Sequence, residues 1–162
     1  DSYYGRSYAP RGQTPAISLH PRCKRVNLIS TVTNQGKVRF MVYEATMNSD
    51  TLIKFMKRLI KESTRKIFLI LDNLKVHHSH IVKDWLEEHK EQIEIFHLPS
   101  YSPELNPDEY LNCDLKVGVH SKAPVKTKWQ LKSKAISHLR KLQKLPERVK
   151  RYFKHPKIMY AA

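Results

Sequence analysis

Acidic residues are scarce in this chain. Fifteen Asp and Glu stand against 30 Lys and Arg, a net charge of +15. A merely solvated surface does not need that imbalance, so the partner should be a polyanion: DNA, RNA or an acidic membrane face. The membrane face is disfavoured, because no basic amphipathic helix carries a wide Trp/Phe/Leu side. Glycine is scarce too, with four in 162 residues. No glycine-rich phosphate loop follows any strand, which argues against a nucleotide-binding domain. The two cysteines, Cys23 and Cys113, lack CxxC or metal-ligand spacing and read as reduced thiols. The longest apolar run, Ile67 to Leu71, is far too short to cross a bilayer. The opening DSYYGRSY has no apolar signal core, so a cytoplasmic location is expected. It also lacks an initiator Met, and we expect a longer parent protein.

What is present suits one folded domain: 40% hydrophobic and 9% aromatic residues. Residues 1–22 read as a loop with one short strand near Arg6–Ala9, and Arg6, Arg11 and Arg22 among tyrosines read either as DNA contacts or as a plain basic loop. Arg25 to Thr33 and Val38 to Ala45 are strand-like around the turn Asn34-Gln35-Gly36-Lys37 and predict an antiparallel hairpin covered on both sides. From Asn48 or Ser49 to Glu62, Leu52, Phe55, Met56, Leu59 and Ile60 mark one helical stripe. Lys66 to Asp72 is a continuous apolar strand, which predicts burial on both faces. A short helix over Ser79–His89 and a strand over Ile93–Leu98 complete a βαβ unit with parallel pairing. After the loop Pro99–Pro107, Asn106 caps a helix running to about Val119. Residues 120–162 hold thirteen Lys or Arg and one acid, Glu147. They include a basic helix over Lys128–Leu142, where Lys128, Lys132 and Arg140 are further candidate DNA contacts, and a short helix from Pro146 through Phe153. The expected fold is a mixed α/β sheet, an antiparallel hairpin plus parallel strands, flanked by helices. Residues 1–120 form its core and 121–162 a basic helical extension of the same domain.

Chemistry concentrates between Lys66 and Asn112. Asp72 ends an apolar strand, where α/β sheets gather functional groups. Position alone leaves it open between a metal ligand and a strand-end turn or cap. Glu109 sits three residues after Asn106, a capping-box spacing that also places its carboxylate at a defined point. Asp108 at the second helical position competes for the metal role, but there it can simply complement the helix dipole. Asn73 and His77 are candidates for positioning substrate, with Asn73 orienting the neighbouring acid or donating to a phosphate oxygen. The histidines 77, 78 and 80 lack the second ligand pair of a structural zinc site. Two-ion phosphodiester cleavage wants carboxylates, and two are marginal where three are usual.

The segments LILDNLKVHHS and LPSYSPELNPDEYLNCDLK closely resemble the DDE transposases of bacterial insertion sequences, in the branch related to mariner elements. GRSYAPRGQTP and the closing RVKRYFKHPKIMYA resemble the same family's flanking segments. The resemblance implies a ribonuclease H-like fold and metal-dependent DNA strand cleavage and transfer. It implies Asp72 and Glu109 as the second and third catalytic acids, holding Mg2+ or Mn2+. Asp108 matches a variable position. The family's first acid ends a strand in an Asp-Glu context; Asp1 is followed by Ser2 and does not match, so that acid and a helix-turn-helix domain are expected upstream. DNA ends and target are the implied partners, with a homodimer as the implied assembly. A non-catalytic nucleic-acid-binding module is the competing reading.

Overall fold

The computed structural model describes residues 25–73, 78–120 and 125–162. Arg6, Arg11, Arg22, His77 and Cys23 lie outside them, as does the strand expected near Arg6–Ala9.

The hairpin forms as expected. Strand β1 (Asn27–Val32) pairs antiparallel with β2 (Val38–Tyr43), in a register joining Val32 to Val38 and Asn27 to Tyr43. Its turn closes through Gly36 N–H to Thr33 O at 2.8 Å and Thr33 N–H to Lys37 O at 3.0 Å. Gly36 has φ +85°, and a Cβ there would lie 2.4 Å from the Pro146 carbonyl oxygen. Backbone angle and close approach therefore both demand glycine.

Period-two alternation makes this hairpin the plate between two cores. Ile29 and Met41 face helix α1 (Ser49–Lys61), whose stripe of Leu52, Phe55, Met56 and Leu59 is buried. Asn48 caps α1 by accepting from Thr51 N–H at 2.8 Å. Leu28, Val32, Val38 and Phe40 face the other way. They pack against Leu111 of α3 (Pro107–His120), Leu139 and Leu142 of α4 (Lys128–Gln143), Val149 of α5 (Pro146–Lys150), and Tyr152, Phe153 and Ile158 in the closing 3-10 turns. The basic C-terminal segment thus supplies most of the second core.

Strand β3 (Ile67–Leu71) pairs parallel with β4 (Ile93–His97) across helix α2 (His80–Glu88), which completes the βαβ unit. Among the described residues the four strands form two separate two-stranded sheets. Leu69, Ile93, Val82 and Trp85 join the α1 core. The opposite face of the parallel pair is a correction to the sequence expectation. Phe68, Ile70 and Phe96 are exposed there, Phe68 at 64%, because no described element packs over them. An unbroken apolar run states that both faces are apolar; it does not supply a second layer.

Candidate active site

Asp72 follows β3 directly and is exposed. The chain returns beside it: Leu98, just past β4, donates its N–H to Leu71 O at 2.8 Å. The loop from Pro99 to Asn106 therefore leaves from Asp72's side and ends at the start of α3, where Glu109 stands. That loop is held at several points. Asn73 Nδ2 donates to Ser100 Oγ at 2.9 Å. Pro103–Leu105 forms a 3-10 turn closed by Asn106 N–H to Pro103 O at 3.0 Å. Tyr160 donates its hydroxyl to Leu105 O at 2.7 Å. Tyr101 sits at φ 58°, a left-handed angle that strains a bulky residue, with its side chain fully in solvent.

Asn106 caps α3 as predicted, its Oδ1 accepting from Asp108 N–H at 3.0 Å. The reciprocal half of a capping box does not form, because the Asn106 N–H is given to Pro103 O instead. The exposed Glu109 carboxylate is not consumed by that bond.

Asp108 is the residue sequence reasoning undervalued. Ser30 of β1 places Oγ 2.9 Å from each Asp108 carboxyl oxygen, tying α3 to the hairpin. Burial pushes the Asp108 carboxyl up to about 7 despite the Ser30 bond, and the charges of Glu109 and Asp72 add to the rise. The three carboxyls thus share one electrostatic neighbourhood. Nothing in the motif spacing signalled this, since Ser30 lies 78 residues away.

Asn73 bridges rather than standing free. Besides Ser100, its Oδ1 receives Nε2 of His78, whose ring lies 4.4 Å from that of His97. The substrate-positioning reading of His77 falls outside the described residues. Lys128 and Arg140 are exposed on α4, and Lys132 reaches Glu44 at 3.4 Å. The structure does not bring together a closed metal cage: among the described residues no group of three or more His, Cys, Asp or Glu is arranged to hold an ion. The donors at the strand end are hard carboxylate oxygens, which suit Mg2+ or Mn2+ with water and phosphate completing the shell.

Farther along α3, Asp114 collects four bonds. Arg148 donates twice, at 2.7 and 2.9 Å, Tyr152 once at 2.7 Å and His138 Nε2 once at 2.8 Å. Burial would raise the Asp114 carboxyl, but these donors outweigh it and hold it below its ordinary value. Gly118 leaves room for the His138 ring, which a Cβ would meet at 2.1 Å. This knot fastens α4 and the C-terminal turns to the helix that carries Glu109.

An α/β domain with an exposed Asp72 at the carboxyl end of a parallel strand and an exposed Glu109 at a helix start is the class that fold and site define. A family model described as DDE superfamily endonuclease matches residues 1–132. The chain belongs to that family. Solved structures share its ribonuclease H-like fold. The catalytic domain of Mos1 mariner transposase matches at 18% identity, covering 80% of this chain and 78% of that one, with a TM-score of 0.52. The Mos1 strand transfer complex matches at 22% identity over 93% of this chain and 49% of that one, TM-score 0.57. The Mos1 mariner paired end complex with Mn matches at 20% identity over 98% and 52%, TM-score 0.58. The chain thus spans about half the length of the transposase chains in those two complexes. No curated protein matches it in sequence. Among the described residues no helix is long and apolar enough to cross a membrane.

Proposed function

We propose that this chain forms the greater part of a transposase catalytic domain that cuts and rejoins DNA at the ends of a mobile element, using Asp72 and Glu109 to hold Mg2+ or Mn2+. The observation that carries the reading is the convergence of acids: a strand-end Asp72 and a helix-start Glu109, both exposed and both raising the carboxyl of Asp108. When bound, the ions would activate the attacking oxygen and stabilise the leaving one. The protein's part is to hold the two acids at fixed points. The β3 end and the Asn73–Ser100 bond fix one; the Asn106 cap and the Asp108–Ser30 tie fix the other. The neighbouring Mos1 structures, a strand transfer complex and a paired end complex with Mn, support DNA and a divalent ion as partners. Arg6, Arg11, Lys128, Lys132 and Arg140 remain the proposed DNA contacts, a homodimer the proposed assembly and the cytoplasm the proposed compartment.

Only two of the three acids of such a site are matched here, so we infer that these 162 residues do not cut DNA by themselves. Nicking of supercoiled plasmid by the purified chain with Mn2+ would refute this. In a longer protein carrying the full triad, Asp72→Asn or Glu109→Gln should lower metal-dependent nicking by at least about 100-fold while salt-sensitive DNA binding persists. Undiminished nicking by both variants would sink the site assignment.

A further inference from the structure

Helix α4 carries a second feature that the acid pair does not use. Its sixteen residues hold five Lys or Arg and no acid. An ordinary solvated helix alternates charges to gain i, i+4 pairs, whereas this one repels itself. Ala135, Leu139 and Leu142 bury one side. The opposite side, spaced at three and four residues, lines a shallow groove with Trp129, Lys132, Arg140, Lys141 and Lys144, and with Ser133 and Ser137 between the cations. The stripe from Trp129 to Lys144 runs about 22 Å at 1.5 Å per residue. Trp129 is 74% exposed at its start. Glu44, reaching Lys132 from the end of the hairpin, is the acid paired with it among the described residues.

We propose that this stripe is a binding site for single-stranded DNA, with Trp129 stacking on an unpaired base and Arg140, Lys141 and Lys144 tracking the phosphates. Exposed aromatic area beside a row of cations is the chemistry that grips a single strand: the charges follow the backbone and the ring takes a base face. A duplex hides its base faces and gives Trp129 nothing to stack on. A second copy of this chain would meet like charge with like. A membrane would need a broad apolar face, and the stripe offers one indole beside a half-buried Ile136. The stripe's length suits about four nucleotides, the small end of single-strand sites. The choice of DNA over RNA rests on the strand-cleavage reading above, since cutting one strand of a duplex exposes such ends. The binding itself needs neither metal nor cleavage.

The chain has two tryptophans, and Trp85 is buried at 7% exposure. Both indoles emit, but only Trp129 is open to a base, so quenching on binding reports on Trp129, with Trp129→Ala supplying the Trp85 baseline. Titrating the 162-residue chain with oligo(dT) in EDTA should quench the indole, with an affinity that falls steeply with salt. Trp129→Ala should weaken binding by about 10-fold, measured by anisotropy of labelled oligonucleotide. Arg140→Glu with Lys141→Glu should weaken it further and flatten the salt dependence, with circular dichroism unchanged. Blunt duplex should bind without quenching. Asp72→Asn with Glu109→Gln should leave oligo(dT) binding unaltered, which separates failure of this site from failure of the active-site reading. Unquenched fluorescence, wild-type affinity in Trp129→Ala, equal quenching by blunt duplex, or tighter binding of oligo(rU) than oligo(dT) would each overturn the proposal.

Discussion

Asp108 sets a pH dependence that can be isolated at one residue. Its carboxyl titrates near 7 in the folded chain and near 3.9 unfolded. Between those values the folded state keeps a proton that the unfolded state has released. Stability should therefore fall as pH rises from about 4 to about 7 and level off above, by at most ~4 kcal/mol from this group. Asp108→Asn, neutral throughout and still able to accept from Ser30, should remove that component and leave the variant more stable than wild type at pH 8. Urea melts of both proteins from pH 4 to 8 measure the difference. Parallel curves would show that Asp108 is not held as the structure places it. A divalent ion between Asp72 and Glu109 would offset the same repulsion, so Mn2+ should raise the melting temperature of the wild type and not of Asp72→Asn with Glu109→Gln.

At the scale of elements, the first turn of α3 joins loop, hairpin and acids, and its cap is the weak link to test. Asn106→Ala removes the acceptor for Asp108 N–H and should cost about 1 kcal/mol. Gly36→Ala should cost more, about 2–3 kcal/mol, because a left-handed residue would also drive its methyl into the Pro146 carbonyl. Thermal melts rank the two, and a smaller loss for Gly36→Ala would mean that the hairpin turn and α5 are not in contact. These elements also show what sequence can say. The hairpin, α1, the βαβ unit, α3 and α4 were legible because apolar periodicity, turn residues and caps agreed over each stretch. The Asp72 strand end and the Asn106 cap were legible for the same reason. What stayed hidden was one local bond and several long-range ones. Pro103 O captures the N–H that would close the capping box, through a 3-10 turn masked by a proline-rich loop. Ser30 meets Asp108 across 78 residues, and Asp114 gathers Arg148, Tyr152 and His138 from elements with no shared motif. The uncovered face of β3 and β4 was illegible too, since an apolar run does not name its cover.

Across the whole molecule, charge and packing divide differently. Thirteen Lys or Arg and one acid put +12 of the net +15 into residues 120–162, yet Leu139, Leu142, Val149, Tyr152, Phe153 and Ile158 from that region build much of the second core. The basic segment is thus not an appended tail. It shares the hairpin with the α1 core, so losing its packing should loosen both sides of that plate. Ile158→Ala tests this, because Ile158 is fully buried in the last 3-10 turn, far along the chain from the hairpin. A cavity of that size should cost about 2–4 kcal/mol. If the two cores are coupled through the hairpin, hydrogen exchange should quicken for the β1 and β2 amides and for α1 by the factor set by that loss, in one cooperative opening. If the closing turns merely fray, Ile158→Ala should quicken exchange only after Pro146 and leave β2 at its wild-type rate. The coupled outcome would mean that the basic region cannot be trimmed without disturbing Ser30, and through it the turn of α3 that carries Glu109.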